Sequence, residues 1–196
     1  MSLYGLLARF EPRHYVEVGS GNSTKFARRA VRDRGLRTRI ISIDPAPRAE
    51  IDQLCDEVYR VPAEDLGDRL IEWLTGDDLL FVDGSHRSFM NTDVTVFFLE
   101  VLPYLPKGCI WGLHDIFLPC DYPPDWADRF YNEQYLLATY LLGGGGQDEI
   151  LLANAYVSQR TPLLNLLEPI WSSPRMAGAR SGGGCFWLRR QAGPDD

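Results

Sequence analysis

Two hydrophobic periods alternate along this chain. Short apolar runs with β-branched or aromatic character predict strands, and stretches with apolar residues three and four apart predict helices between them. The first strand is 14–19, bounded by Pro12 and by Gly19 at its end. Asn22 or Ser23 can cap a helix running to about Arg34, with Phe26, Ala27, Ala30 and Val31 on one face and Gly35 stopping it. A second strand at 38–43 precedes a short helix at 49–55, and a third strand at 57–61 leads to a helix over 65–74. Leu79-Leu80-Phe81-Val82 is apolar throughout, as a central strand buried on both faces should be. Apolar positions 94, 97, 98, 101 and 102 predict a helix over 92–102, closed by Pro103. A fifth strand at 109–113 and one long helix over 125–142 follow. Strands at 149–153 and 185–190 complete the pattern, separated by a helix with Thr161 as cap and Pro162 in its first turn. The glycine-rich stretches 143–146 and 181–184 read as loops and the tail after Arg190 as frayed. Such alternation argues for an α/β fold with a parallel sheet covered on both faces.

Composition narrows the field. At 196 residues, one domain spanning 1–196 with a core over about 14–190 is expected. Lys and Arg number 20 against 27 Asp and Glu, a net charge of −7, so no nucleic-acid partner is expected. No apolar run reaches the length of a membrane span, so no membrane partner is expected either. The first residues lack the basic-then-apolar pattern of a signal peptide. Cys55, Cys109, Cys120 and Cys185 form no CxxC pair, which predicts buried thiols in a reducing cytoplasm rather than disulfides or zinc ligands.

In a doubly wound sheet, ligands bind outside the carboxyl ends of the strands, so the residues just after each strand carry the functional signal. After the first strand comes Glu17-Val18-Gly19-Ser20-Gly21-Asn22-Ser23-Thr24. Its two glycines permit a tight turn and close approach of a ligand, where a side chain at Gly19 would fill the ligand's space. Thr24 stands where a dinucleotide fingerprint wants a third glycine, which weakens a pyrophosphate reading. Asp44 ends the second strand, where a carboxylate can accept hydrogen bonds from both hydroxyls of a ribose; the competing reading is a cap for the next turn.

These residues carry a family resemblance. Glu17-x-Gly19-x-Gly21 with Asp44 resembles the first two motifs of class I S-adenosylmethionine-dependent methyltransferases. Phe81-Val82-Asp83-Gly84-Ser85-His86 and Gly112-Leu113-His114-Asp115-Ile116 resemble the fourth- and fifth-strand segments of a bacterial branch that includes small-molecule O-methyltransferases, some of them metal-dependent. The resemblance implies a single-domain Rossmann-like, doubly wound sheet of seven strands, mostly parallel with the last antiparallel. It implies S-adenosylmethionine (SAM) as cofactor, with Glu17 organising the glycine loop and reaching the methionine amine through water. Gly19, Ser20, Gly21 and Ser23 would line the cofactor, Asp44 would take the ribose, and Ala63-Glu64 would lie at the adenine. Asp83 would sit between cofactor and acceptor.

Methyl transfer to a hydroxyl requires its proton to leave, through a base or a metal ion. His86, three residues after Asp83, is the expected base, with Asp83 and His114 completing the catalytic set. Asp83, Asp115 and His114 are the expected ligands if a divalent ion, Mg²⁺ or Mn²⁺, takes part. Against both stand plain structural hydrogen bonds. His14 has no partner in view and reads as structural. The segment 117–126 reads either as a substrate wall or lid or as a packed surface loop; Asn132, Glu133 and Gln134 read as a solvated helix face. The expected partners are a small-molecule acceptor and a second copy of the chain. A nicotinamide-dependent oxidoreductase and a non-catalytic cofactor-binding domain of the same fold are the rival readings.

Overall fold

Val18, the last residue of the first strand, lies in register with Ile43 of the second and Val82 of the fourth. That register places the strand exits side by side. The computed structural model describes residues 2–144, 148–179 and 182–191. Its strands are β1 (His14–Val18), β2 (Arg39–Ile43), β3 (Glu57–Tyr59), β4 (Leu79–Val82), β5 (Ile110–Leu113), β6 (Glu149–Ala153) and β7 (Phe186–Arg189). They form one seven-stranded sheet in the order β3-β2-β1-β4-β5-β7-β6. β1 to β5 are parallel, and β7 runs antiparallel to both β5 and β6, as expected of the last strand.

Apolar side chains alternate across this sheet because the strand period is two. On one face Tyr15, Ile40, Leu79, Phe81 and Trp187 meet α1 (Ser2–Phe10) and α2 (Asn22–Arg34) through Leu3, Leu6, Leu7, Ala27, Ala30 and Val31. On the other, Val16, Ile41, Leu80, Trp111 and Leu188 meet α3 (Asp68–Glu72), α4 (Asp93–Val96) and α5 (Glu133–Leu142). α1 lies outside the predicted core at 14–190. Its apolar positions 3, 6 and 7 have helical spacing in a segment too short to stand alone, and packing on α2 is what holds it.

The long helix predicted over 125–142 is not continuous. Residues Pro124–Arg129 form a 3₁₀ turn, Phe130 takes a left-handed conformation (φ 57°), and α5 begins only at Glu133. The helix predicted at 49–55 shrinks to a 3₁₀ turn, Asp52–Leu54, which Arg60 and Arg28 hold by Asp52 and the Leu54 carbonyl. The helix predicted at 65–74 divides at Gly67 (φ 47°). After α4 the chain coils on through a π turn (Phe97–Val101) and a 3₁₀ turn (Leu102–Tyr104), with Pro103 inside the coil rather than beyond it. Between β6 and β7 lie α6 (Asn154–Ser158), α7 (Thr161–Leu164) and α8 (Glu168–Trp171), several short helices where one was expected. All four cysteines are free, yet Cys120 is exposed, because the loop after β5 carries it outward. Parts of the two glycine-rich stretches (145–146 and 181) and the tail from 192 lie outside the described residues.

Candidate active site

The β-ladder continues past the strand ends and fixes the site's frame. Gly19 N–H donates to the Ile43 carbonyl (3.0 Å), Asp83 N–H to Val18 (2.8 Å) and His114 N–H to Val82 (3.0 Å). The exits of β1, β2, β4 and β5 therefore stand level around one cleft of about 1030 Å³. Gly19 to Ser23, Asp44, Ala63 and Glu64 line one arm; Asp83, His86, His114, Asp115 and Tyr131 line the other.

In the first arm Gly19 has φ 79°, and a Cβ there would lie 1.8 Å from the Asp83 carbonyl oxygen. The space it leaves is thus filled by the β4 backbone, not by a ligand as the sequence suggested. At Gly21 nothing lies within 4 Å of such a Cβ, so the open ground is there. Gly21 itself occupies the cap position of α2, with no side-chain cap, in place of the expected Asn22 or Ser23. Ser20 N–H donates to Asp44 Oδ2 (2.8 Å), and Ala46 N–H to Oδ1 (2.8 Å). Asp44 is therefore a loop clasp as well as a cleft residue. Each of its oxygens keeps a further lone pair for a ligand.

Glu17 does not reach the cleft. Its side chain lies on the α2 face of β1, fully buried, accepting from Tyr15 Oη (2.7 Å) and Thr24 Oγ1, while Thr24 Oγ1 accepts from Gly21 N–H (3.0 Å). That chain of bonds ties the glycine loop to the sheet, so the loop-organising part of the expectation fits and the reach toward a bound amine does not. Burial pushes the Glu17 carboxyl up to about 7, against the lowering influence of hydrogen bonds from Ser23, Thr24 and Tyr15. An acid raised this way holds its proton in the folded state between its ordinary value of 4.5 and about 7. Stability from this group is therefore full below pH 4.5 and lost as pH rises through 7, by about 3 kcal/mol. Urea unfolding of Glu17→Gln across pH 5–8 should lack that decline; an identical slope in both proteins would assign the dependence to another group.

In the second arm four predicted residues from two loops come together. His86 Nε2 stands 3.3 Å from Asp83 Oδ1 and 3.6 Å from Asp115 Oδ2. His114 Nδ1 stands 3.2 Å from Asp83 Oδ1 and 3.1 Å from Asp115 Oδ1, yet neither contact has hydrogen-bond geometry, so this buried nitrogen lacks a hydrogen-bond partner. His86 and Asp115 both adopt positive φ (58° and 54°), which turns their side chains back toward the shared center. His14, by contrast, bonds to Asp78 at the start of β1 and stays structural.

The residue that sequence reasoning missed is Glu133. Expected on a solvated face, Glu133 and Gln134 are both fully buried. Glu133 Oε2 lies 2.9 Å from His86 Nδ1, and the N–H groups of Asn132 and Glu133 donate to the His86 carbonyl (3.0 and 3.3 Å). Gln134 Oε1 accepts from Phe117 N–H (3.0 Å). The break at Phe130 delivers these two polar side chains inward, where one tethers the β4 loop and the other the β5 loop. A Glu-Gln pair opening a helix whose remaining residues are mostly apolar was the available signal.

Burial opposes charge on His86, but its bonds to Asp83 and Glu133 and the charge of Asp115 push it up to about 10. Burial opposes charge on His114 too, and the Asp83 and Asp115 carboxylates outweigh it and raise its pKa. Burial alone would raise the Asp83 carboxyl; the two imidazoles instead hold it well below the usual carboxylate range. With both ring nitrogens engaged and its proton held, His86 is poorly placed as a free base near neutrality. Two imidazoles and the Asp83 carboxylate, with one imidazole nitrogen orphaned, are donor chemistry of the kind a divalent cation takes; Asp115, also expected as a ligand, stands beside them and meets His86 and His114 through different oxygens. Among the described residues Asp83, His86 and His114 form a cluster of metal-ligand type.

Comparison with known proteins places the chain. Residues 16–116 match the model of a methyltransferase-domain family. A search of curated proteins finds no match. Among solved structures, the SAH-bound methyltransferase PaMTH1 of Podospora anserina matches with a TM-score of 0.55 at 17% identity, over 97% of this chain and 77% of that one. TomG, an O-methyltransferase of Streptomyces achromogenes involved in tomaymycin synthesis and solved in complex with SAM, matches with a TM-score of 0.52 at 13% identity, over 97% and 78%. Fold and family together define a methyltransferase, which sets aside the nicotinamide-dependent alternative. The chain belongs to the methyltransferase-domain family.

Proposed function

We propose that this protein transfers the methyl group of SAM to a hydroxyl oxygen of a small molecule. The observation that carries this reading is the convergence of Asp83, His86, His114 and Asp115 beside the glycine loop. The cofactor's methionine and ribose would lie over Gly19-Ser20-Gly21, with Ser23 beside them, Asp44 on the ribose hydroxyls and Ala63-Glu64 at the adenine. The acceptor would enter the other arm. Displacement at a sulfonium carbon asks chiefly for alignment, and the rigid ladder supplies it. An acid-rich cleft also favours a sulfonium over the neutral product.

The acceptor's proton must leave toward the four-residue cluster. Asp83, His114 and Asp115, with His86 Nε2 facing them, would hold a divalent cation, Mg²⁺ or Mn²⁺, which when bound lowers the pKa of a neighbouring hydroxyl. Asp83 and Asp115 would face the acceptor as the carboxylates of the cluster. Glu133 holds His86 Nδ1, which fixes the ring so that Nε2 points to the cleft.

Calorimetry with S-adenosylhomocysteine and a turnover panel of hydroxylated small molecules test this reading. Asp44→Ala should weaken S-adenosylhomocysteine binding about ten-fold or more, because it removes charge-assisted bonds and frees the Ser20 and Ala46 amides. Unchanged affinity in a folded variant would place the cofactor elsewhere.

A further inference from the structure

The acceptor arm is bounded by a segment that methyl transfer by itself does not require. Phe117, Trp126 and Tyr131 pack ring against ring (5.2 Å between the first two centroids, 5.8 Å between the last two), and Tyr131 then packs on His86 at 4.6 Å. Arg129 lines the same cleft and lays its guanidinium over Trp126, with Cζ 3.7 Å from the ring centroid and 5.7 Å from that of Tyr131. Arg87 Nε donates to the Arg129 carbonyl (2.9 Å), which fixes the turn that presents it.

Like Arg48 at the other arm, Arg129 has no carboxylate within salt-bridge distance among the described residues; what sets it apart is that it lines the cleft beside Tyr131 while stacked on Trp126. In a protein of net charge −7, a cation left without an acid beside an acid-rich cleft is free for a ligand. A guanidinium stacked on an indole keeps its in-plane N–H donors directed outward, and that edge matches a carboxylate. One ring, Tyr131, separates this edge from His86.

We propose that Arg129, with Trp126 and Tyr131, is the anion subsite of the acceptor, and that the acceptor is an aromatic hydroxy acid. Its carboxylate pairs with Arg129, its ring lies along Tyr131, and its hydroxyl faces Asp83, His86, His114 and Asp115. Arg129 attracts the carboxylate at the far end of the arm, and that pairing selects the orientation that brings the hydroxyl to the methyl group. This rests on the O-methyl transfer reading above.

The test compares 3,4-dihydroxybenzoate with its methyl ester as acceptors for wild type, Arg129→Gln and Arg129→Lys. Wild type should prefer the acid in kcat/KM. Arg129→Gln should lower the acid-to-ester ratio about ten-fold or more, mainly through KM for the acid, and Arg129→Lys should restore part of it. Equal use of acid and ester by wild type, or a loss in Arg129→Gln that falls equally on both, would overturn the proposal. If neither compound is methylated, calorimetry of 3,4-dihydroxybenzoate with the S-adenosylhomocysteine complex decides: Arg129-dependent binding supports the subsite, and no binding overturns it. Absence of S-adenosylhomocysteine binding to wild type would instead count against the O-methyl transfer reading itself.

Discussion

Methyl transfer by Asp115→Asn should fall by about 10²- to 10⁴-fold, the range a group acting on a proton in the transition state supplies. Asparagine is the informative replacement because residue 115 sits at φ 54°, a conformation that Asn tolerates and Ala resists. The variant removes one of the two charges that face His86 and His114 and leaves the backbone undisturbed. Affinity for S-adenosylhomocysteine should stay as in wild type, since Asp115 lies on the acceptor arm. If the cluster works through a divalent cation, a chelator should abolish wild-type turnover and Mg²⁺ or Mn²⁺ should restore it; Asp115→Asn should also bind Mn²⁺ more weakly. Turnover untouched by chelator would remove the cation and leave proton transfer to the cluster's own side chains. Full activity in Asp115→Asn would remove Asp115 from the mechanism altogether.

Gly19→Ala should damage the fold before it damages binding. The φ of 79° already disfavours any side chain, and the new Cβ would stand 1.8 Å from the Asp83 carbonyl, a backbone atom that β4 pairing holds in place. Something in the β1–β4 crossing must shift, at a cost of at least about 3 kcal/mol. A thermal melt should show it directly. Gly21→Ala makes the matched control: its φ of 176° is extended and its Cβ would meet open space. That variant should melt like wild type and yet lose affinity for S-adenosylhomocysteine. A stable Gly19→Ala that binds ligand normally would show that the close approach of the two loops is dispensable.

Much of this was readable along the chain. The apolar run at 79–82 identified the central strand because burial on both faces leaves no polar period to hide it. Gly19, Gly21, Asp44 and the Asp83–His86 and His114–Asp115 segments stood at strand ends, and a parallel sheet puts strand ends together whatever the loops do. The helix over 125–142 was misjudged because its composition suits a helix throughout. Nothing local marks Phe130 as the left-handed residue that stops one coil and starts another. Glu133 was misplaced for the same reason: a charged residue beside polar neighbours looks solvated until a buried histidine is found opposite it. α1 went unseen since three apolar residues acquire meaning only with α2 beneath them.

Sequence by itself determined the order of strands and helices, the parallel sheet they imply, and which residues stand at its ligand-binding edge, because period and glycine placement act locally. Tertiary structure alone decided what those residues do to one another. It buried Glu17 as a clasp, filled the space at Gly19 with the Asp83 backbone, drew His86 between Asp83, Asp115 and Glu133, and laid Arg129 over Trp126 at the cleft. Those outcomes depend on distances between atoms far apart in the chain, which only packing sets.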